Sequence, residues 1–213
     1  MKERGVRPEA DMTATLAEQL HELGAVQFGR FTLKSGAESP VYLDLRLLIS
    51  APAVLAAVAE AYVTLLARLT FDRLAAIPYA GLPIGTAVAL AGGWPLVYPR
   101  KEAKAYGTGR AIEGLFHAGE TVVVLDDVVS SGGSKLEAIA PLAEAGLIVR
   151  DVVVLVDRET GGRQELARAG YRLHSVTTLG ELATALAEAG RIGPDRRDAV
   201  LAYLRPSSPA GQN

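Results

Sequence analysis

The chain has no cysteine in its 213 residues. That excludes disulfides, thiol nucleophiles and cysteine-held metals, and it fits a reducing, cytoplasmic setting. Histidine is scarce: His21, His117 and His174 are scattered and show no H-E-x-x-H spacing, so a zinc centre is not expected. Neither sign of charge dominates, with 22 Lys and Arg against 24 Asp and Glu for a net −2, so the field of the molecule gives nucleic acid no purchase. Long apolar runs are missing too. The most apolar helical stretch, Ala53 to Leu69, is interrupted by Glu60, Thr64 and Arg68 and is too short to span a bilayer. The opening Met-Lys-Glu-Arg-Gly leads into polar residues and does not read as a secretory signal. No G-x-x-x-x-G-K-[ST] occurs anywhere. These absences leave a soluble protein with neither a membrane nor a nucleic-acid partner.

What is present is ordinary globular material, 49% hydrophobic and 22% charged. The expectation is a single domain over residues 1–205, followed by a disordered Ser/Pro/Gly-rich tail, 206–213. A helix is expected from Thr13 to Leu23, closed by Gly24. Short strands follow at Val26–Leu33, around Gly29, and at Val41–Leu45, with a turn at Lys34-Ser35-Gly36. From residue 51 to 189 helical and strand patterns alternate. Strands are expected at 74–77, 96–98, 122–125, 149–156 and 173–177. Helices are expected at 51–69, 83–91, 134–145, 162–169, 179–189 and 194–203. Thr178 with Glu181 forms a capping box for the 179–189 helix. Alternation of this kind predicts an α/β fold, a mostly parallel sheet with helices on both faces, in which ligands bind at the carboxyl ends of the strands. The core spans about 51–189, and the strands near the N-terminus make a small flap, about 13–46. Residues 100–119 read as a long loop, and long loops in compact domains are usually functional.

The stretch with the most chemistry is Thr121 to Glu137. Val122 to Leu125 is a uniformly apolar strand with Asp126 and Asp127 at its carboxyl end. Ser130, Ser131, Gly132 and Gly133 then let the backbone turn closely, and Ser134 with Glu137 has capping-box spacing, which predicts a helix from Ser134. The start of a helix carries unpaired N–H groups and partial positive charge, which suits a phosphate. Paired carboxylates suit the vicinal hydroxyls of a ribose. The bland alternative is a βα turn with polar residues at its mouth. A second concentration lies at Arg100 to Arg110, where Arg100, Lys101, Lys104 and Arg110 face a single acid, Glu102. Such a loop can close over a polyanion and neutralise a leaving group, or it can be a solvated surface.

Leu125-Asp-Asp-Val-Val-Ser-Ser-Gly-Gly-Ser134 resembles the phosphoribosyl pyrophosphate motif of the type I phosphoribosyltransferases. Three further blocks resemble the orotate phosphoribosyltransferases within that group: Phe31 to Arg46, Arg100 to Gly109, and Asp157-Arg-Glu-Thr-Gly-Gly162. Together the four blocks cover residues 31–162 in order. The resemblance implies transfer of ribose 5-phosphate from phosphoribosyl pyrophosphate to orotate, giving orotidine 5′-monophosphate and pyrophosphate in pyrimidine biosynthesis. It also implies Mg2+, held mainly through substrate oxygens rather than by protein ligands.

By the same resemblance, Lys34, Arg100, Lys101, Lys104, Tyr106, Asp126, Asp127 and the run Val128, Val129, Ser130, Ser131, Gly132, Gly133 and Ser134 would bind phosphoribosyl pyrophosphate. Lys101, Lys104 and Asp127 are the candidate catalytic residues. Lys34, Tyr42, Leu43, Ser130 and Arg158 would bind orotate, and an Arg pairs well with its carboxylate. The active form would be a homodimer in which Arg100, Lys104 and Tyr106 reach the neighbouring subunit's site. Two positions depart from the usual pattern. Ala80 stands where many bacterial members carry lysine. Tyr106 stands where many carry histidine; a phenol, with a reference pKa near ~10 against ~6.5 for imidazole, is the poorer acid–base group. A purine-specific phosphoribosyltransferase and a nucleic-acid-binding sensor of phosphoribosyl pyrophosphate are the alternative functions. The first predicts turnover with purine bases, the second a basic groove or an added helix-turn-helix.

Overall fold

The computed structural model describes residues 9–32, 36–101 and 111–205, with residues 9–12 as backbone alone. Lys34, Lys104 and Tyr106, the middle of the basic loop and the tail from Pro206 lie outside the described residues.

Six strands form the main sheet in the order β5-β4-β3-β6-β7-β8: β3 (Arg73–Ala76), β4 (Leu96–Pro99), β5 (Ile112–Glu113), β6 (Thr121–Val129), β7 (Ile148–Asp157) and β8 (Arg172–Thr178). Neighbours from β4 through β3, β6 and β7 to β8 run parallel, and only β5 is antiparallel, against β4. The expected α/β architecture is therefore present. Its centre is β6, whose apolar residues supply both faces. Val123 and Leu125 point into one core, while Val122 and Val124 point into the other. Alternation within an all-apolar strand is what burial on both faces requires.

The first core is closed by α1 (Glu9–Glu22), α2 (Pro52–Leu66), α3 (Gly81–Gly92), α6 (Leu179–Glu188) and α7 (Pro194–Leu204), through Leu16, Tyr62, Ile84, Leu182 and Val200. The second is closed by α4 (Gly133–Glu144) and α5 (Gly162–Arg168), through Ile139, Leu142 and Leu166. No helix among the described residues is long and apolar enough to cross a membrane.

The N-terminal strands form an antiparallel ribbon, β1 (Val26–Thr32) with β2 (Glu38–Leu43). The expected pair of short strands around Gly29 is one strand whose register slips between Phe28 and Phe31. The ribbon does not stand apart as a free flap, because Val26 and Val41 are fully buried in the first core. A 3-10 helix, Leu45–Ser50, follows it and buries Leu45 and Leu48. It lies where the sequence predicts the end of a strand, because three-residue spacing of apolar side chains over so short a span resembles alternation. The 100–119 region is not wholly a loop either. Ile112 and Glu113 pair with Pro99 and Tyr98, and the Arg100 N–H bonds the Ala111 carbonyl at 2.8 Å, so the basic segment leaves and re-enters through a hairpin stem.

Candidate active site

Chain order reverses between β3 and β6: from β3 the chain moves outward to β4, then returns to lay β6 on the other side. Crevices at such a switch point, beyond the carboxyl ends of the strands, are where open parallel sheets bind ligands. Ladder pairing of β3 with β6 ends at Ala76 opposite Leu125. Asp126 and Asp127 come next, and so overlook the crevice. They lie within β6, not after it, because pairing with β7 carries the strand on to Val129 opposite Asp157.

The two carboxylates have unlike surroundings. Asp126 is 6% exposed and saturated. Its Oδ1 accepts the Asp127 N–H at 2.9 Å, and its Oδ2 meets the Lys135 ammonium at 2.5 Å. Its carbonyl accepts the Tyr62 hydroxyl at 2.6 Å from the core beneath. The start of α3 lies against it, and a Cβ on Gly81 would come within 3.0 Å of Oδ1. Asp127 is partly exposed; its Oδ1 accepts the Val128 N–H at 2.8 Å, and its carboxyl lies against that of Asp126. Burial, reinforced by repulsion from Asp126, pushes its carboxyl up to about 7.

The turn after β6 exposes Ser130 and Ser131, and Gly132 takes a left-handed conformation, φ 89°. That glycine is the N-cap of α4, and no side chain caps the helix. The capping box expected at Ser134 is therefore absent. The helix begins one residue earlier, Ser134 sits exposed in its first turn, and Gly132 reaches a backbone angle that serine would resist. The first N–H groups of α4 are left to face whatever sits at the turn, an arrangement suited to an anion. Val128 packs partly against the first core and Val129 is fully buried, so toward a ligand these two offer backbone alone.

Behind the turn lies the start of α5. A Cβ on Gly162 would stand 2.5 Å from the Ser130 carbonyl oxygen, and the Arg158 N–H bonds the Val129 carbonyl at 3.0 Å. The phosphate-type turn and the Arg158 segment are thus packed back to back. The Arg158 guanidinium reaches the N-terminal ribbon, where Nη2 donates to the buried Ser39 hydroxyl at 3.4 Å, while its own Nε is buried without a partner. An orphaned guanidinium donor of this kind is costly to leave empty and well matched to a carboxylate. Glu159, at φ 57°, fixes this segment by accepting the Gly180 N–H at 2.8 Å, and its own N–H donates to Asp157 at 2.9 Å.

On the other flank of the crevice, Arg100 forms an ion pair with Glu113 of β5. Lys101 is exposed, with its ammonium 5.0 Å from the centre of the Tyr79 ring. Pro78, Tyr79, Leu82, Tyr98, Arg100, Lys101 and Glu113 line a cleft of about 420 Å3. Arg100 and Lys101 therefore stand beside the turn that follows β3. Tyr42 and Leu43 do not share a face: Leu43, like Val41, turns toward the first core, and Tyr42 packs on Phe31 across the ribbon at 5.5 Å. Only one of the two can offer its side chain to a given ring. Ser39 and Glu159 fall inside the motif blocks and Lys135 directly after one, without being singled out as site residues, and Tyr62 falls in none of them. A lone serine, a core tyrosine or a lysine early in a helix carries no pattern that separates it from its neighbours.

No family model matches the chain. It is 47% identical over 178 residues to the bifunctional enzyme PyrF/PyrE of Nostoc sp., covering 84% of this chain and 37% of that protein. It is 40% identical over 190 residues to an orotate phosphoribosyltransferase of Pyrobaculum islandicum, covering 89% of this chain and 97% of that one. Among solved structures, Leishmania donovani UMP synthase superposes with a TM-score of 0.84 at 43% identity, over 90% of this chain and 42% of the other. The chain thus spans less than half the length of the Nostoc and Leishmania proteins and nearly all of the Pyrobaculum one.

Proposed function

From the premise that the chain belongs to the orotate phosphoribosyltransferase family, we propose that it transfers ribose 5-phosphate from phosphoribosyl pyrophosphate to orotate, releasing pyrophosphate. The observation that carries this reading is the uncapped amino end of α4, set one turn after a pair of carboxylates at the switch point of the sheet. Backbone N–H groups and the hydroxyls of Ser130, Ser131 and Ser134 take the 5-phosphate. Asp127, with Asp126 behind it, takes the ribose hydroxyls. Arg158 takes the orotate carboxylate through its guanidinium, whose Nη2 lies beside Ser39 of the ribbon. Arg100, Lys101 and Lys104 face the pyrophosphate, with Tyr106 as a hydrogen-bonding group; the last two lie outside the described residues.

Bond breaking at ribose C1 leaves positive charge on the sugar and negative charge on the leaving group. A site of fixed donors and cations stabilises that separation more than it activates a nucleophile. Magnesium would be held mainly by substrate oxygens and would supply positive charge against the departing pyrophosphate. The donors around the turn suit that ion, since the hydroxyls and carboxylates that would surround the substrate are hard oxygen groups.

We read the working form as a cytoplasmic homodimer, with Arg100, Lys104 and Tyr106 serving the neighbouring subunit's site. Mixing Lys104→Ala with Asp127→Asn subunits tests this: partial recovery of activity is expected, and none in verified heterodimers argues for action within one subunit. The reaction itself is tested by mixing the protein with phosphoribosyl pyrophosphate, magnesium and orotate and following loss of orotate absorbance. Turnover with orotate and none with adenine, hypoxanthine or xanthine is expected. The reverse preference overturns the assignment.

A further inference from the structure

We propose that Lys135 is a positioning residue for substrate binding: its buried ammonium clamps Asp126 and leaves Asp127 as the carboxylate that receives the ribose hydroxyls. This rests on the reading of the acid pair as the ribose site. Lys135 is 5% exposed, in the first turn of α4, directly beneath the phosphate-type turn. It meets Asp126 Oδ2 at 2.5 Å and lies 3.3 Å from the Ser134 hydroxyl, so one side chain touches both the acid pair and the helix start.

Stability alone gives little reason for it. A buried ion pair is often no more stabilising than apolar side chains of the same size, and a lone buried ammonium is strongly unfavourable. Its placement makes sense as charge control. Two adjacent carboxylates repel, and without a counter-charge the pair would keep its proton to a still higher pH, blocking one acceptor. With Lys135 committed to Asp126, the pair presents one fixed and one open carboxylate. The attraction of Lys135 acts against the burial and repulsion that raise Asp127. The other neighbours do not substitute for it. From α2 comes the Tyr62 phenol, kept neutral by burial, and from the first turn of α3 comes Gly81, which has no charge.

The test is the affinity for phosphoribosyl pyrophosphate with magnesium, measured by calorimetry between pH 5.5 and 9 in the intact protein. In the wild type, binding tightens as the pH rises through about 7, where Asp127 ionises. Lys135→Met should move that midpoint upward by about one pH unit or more, roughly fivefold weaker binding at pH 7 for the first unit, with orotate binding unchanged. Combining it with Asp126→Asn should bring the midpoint back down, because a single carboxylate no longer repels its neighbour. A midpoint in Lys135→Met equal to the wild type overturns the inference. Should that variant not fold, Asp126→Asn is compared with the Asp126→Asn/Lys135→Met double variant, in which the pair is neutral. The double variant is expected to have the higher midpoint, and equal midpoints overturn the proposal. A wild type that does not bind phosphoribosyl pyrophosphate would overturn the ribose-site reading instead, so the two failures are distinct.

Discussion

The two ends of the central sheet treat their acids in opposite ways. At the amino end Glu120 accepts a two-pronged ion pair from Arg73, including Nε to Oε2 at 2.7 Å, and the His117 N–H at 2.7 Å. The Arg73 guanidinium and the His117 amide hold its carboxyl below the usual range. Asp151, a few residues into β7, is bonded by Arg172 through both oxygens, at 2.8 and 2.9 Å, and by His174 at 2.7 Å. Burial alone pushes its carboxyl up, but the hydrogen bonds from Arg172 and His174 outweigh that and hold it down. At the carboxyl end Asp127 has no such partners and is pushed up to about 7. Saturated acids stabilise a fold, whereas an acid left wanting a donor is ready for a ligand. Position is not the whole rule, since Asp157, also at the carboxyl end, is satisfied by Arg163 and by the Glu159 N–H. What distinguishes Asp127 is that it overlooks the switch point.

That contrast can be tested from both ends. The largest effect is expected from the loop that leaves the sheet beside the open end. Lys104→Ala should lower kcat by about 10²–10³ without altering the melting temperature, by analogy with loss of a donor to developing charge. Near-normal turnover in steady-state assays would count against a role for the loop. Next is Arg73→Met at the saturated end. It strands Glu120 and the Leu115 carbonyl, so the melting temperature should fall by several degrees, while kcat/KM at 25 °C stays within about twofold of wild type because nothing at the site has moved. A large loss of kcat/KM in the folded variant would break the division between the ends.

Asp127→Asn should weaken kcat/KM for phosphoribosyl pyrophosphate by roughly 10–100-fold, the value of one charge-assisted hydrogen bond. It should also stabilise the free protein, and the sign follows from proton binding. Between about pH 4 and about pH 7 the unfolded chain has released the Asp127 proton and the folded chain has not. Wild-type stability therefore falls as the pH rises across that window and levels off above it. The asparagine, which can still accept the Val128 N–H, escapes this loss. Denaturant melts should show it more stable by roughly 1–3 kcal/mol at pH 8, and by about nothing at pH 4. A difference that grows toward acid would reverse the assigned shift.

Much of the molecule could be read from the chain because the readable parts are contiguous. The apolar run of β6, the two acids, the small residues and the helix after them sit side by side, and the α/β alternation and the Thr178–Glu181 capping box follow the same way. What escaped depends on residues distant in sequence or on competition between neighbours. Ser39 and Arg158 meet across 119 positions, and Tyr62 reaches Asp126 across 64. Lys135 has the pattern of a surface residue yet is buried, with its ammonium against Asp126. The capping signal at Ser134 is sound locally, but Gly132 overrides it by taking the left-handed angle first. The unlike character of Asp126 and Asp127 is invisible in the letters, since it is made by what packs on each.

The most direct measurement of the central claim is a 13C NMR pH titration of aspartate side-chain carboxyls, with Asp127 and Asp151 assigned by substitution, with and without phosphoribosyl pyrophosphate and magnesium. Asp127 is expected to titrate near 7 in the free protein and to drop on addition of the substrate, whose hydroxyls favour the ionised form, while Asp151 stays low in both. An Asp127 that titrates like an ordinary exposed carboxylate and ignores the substrate would contradict the account.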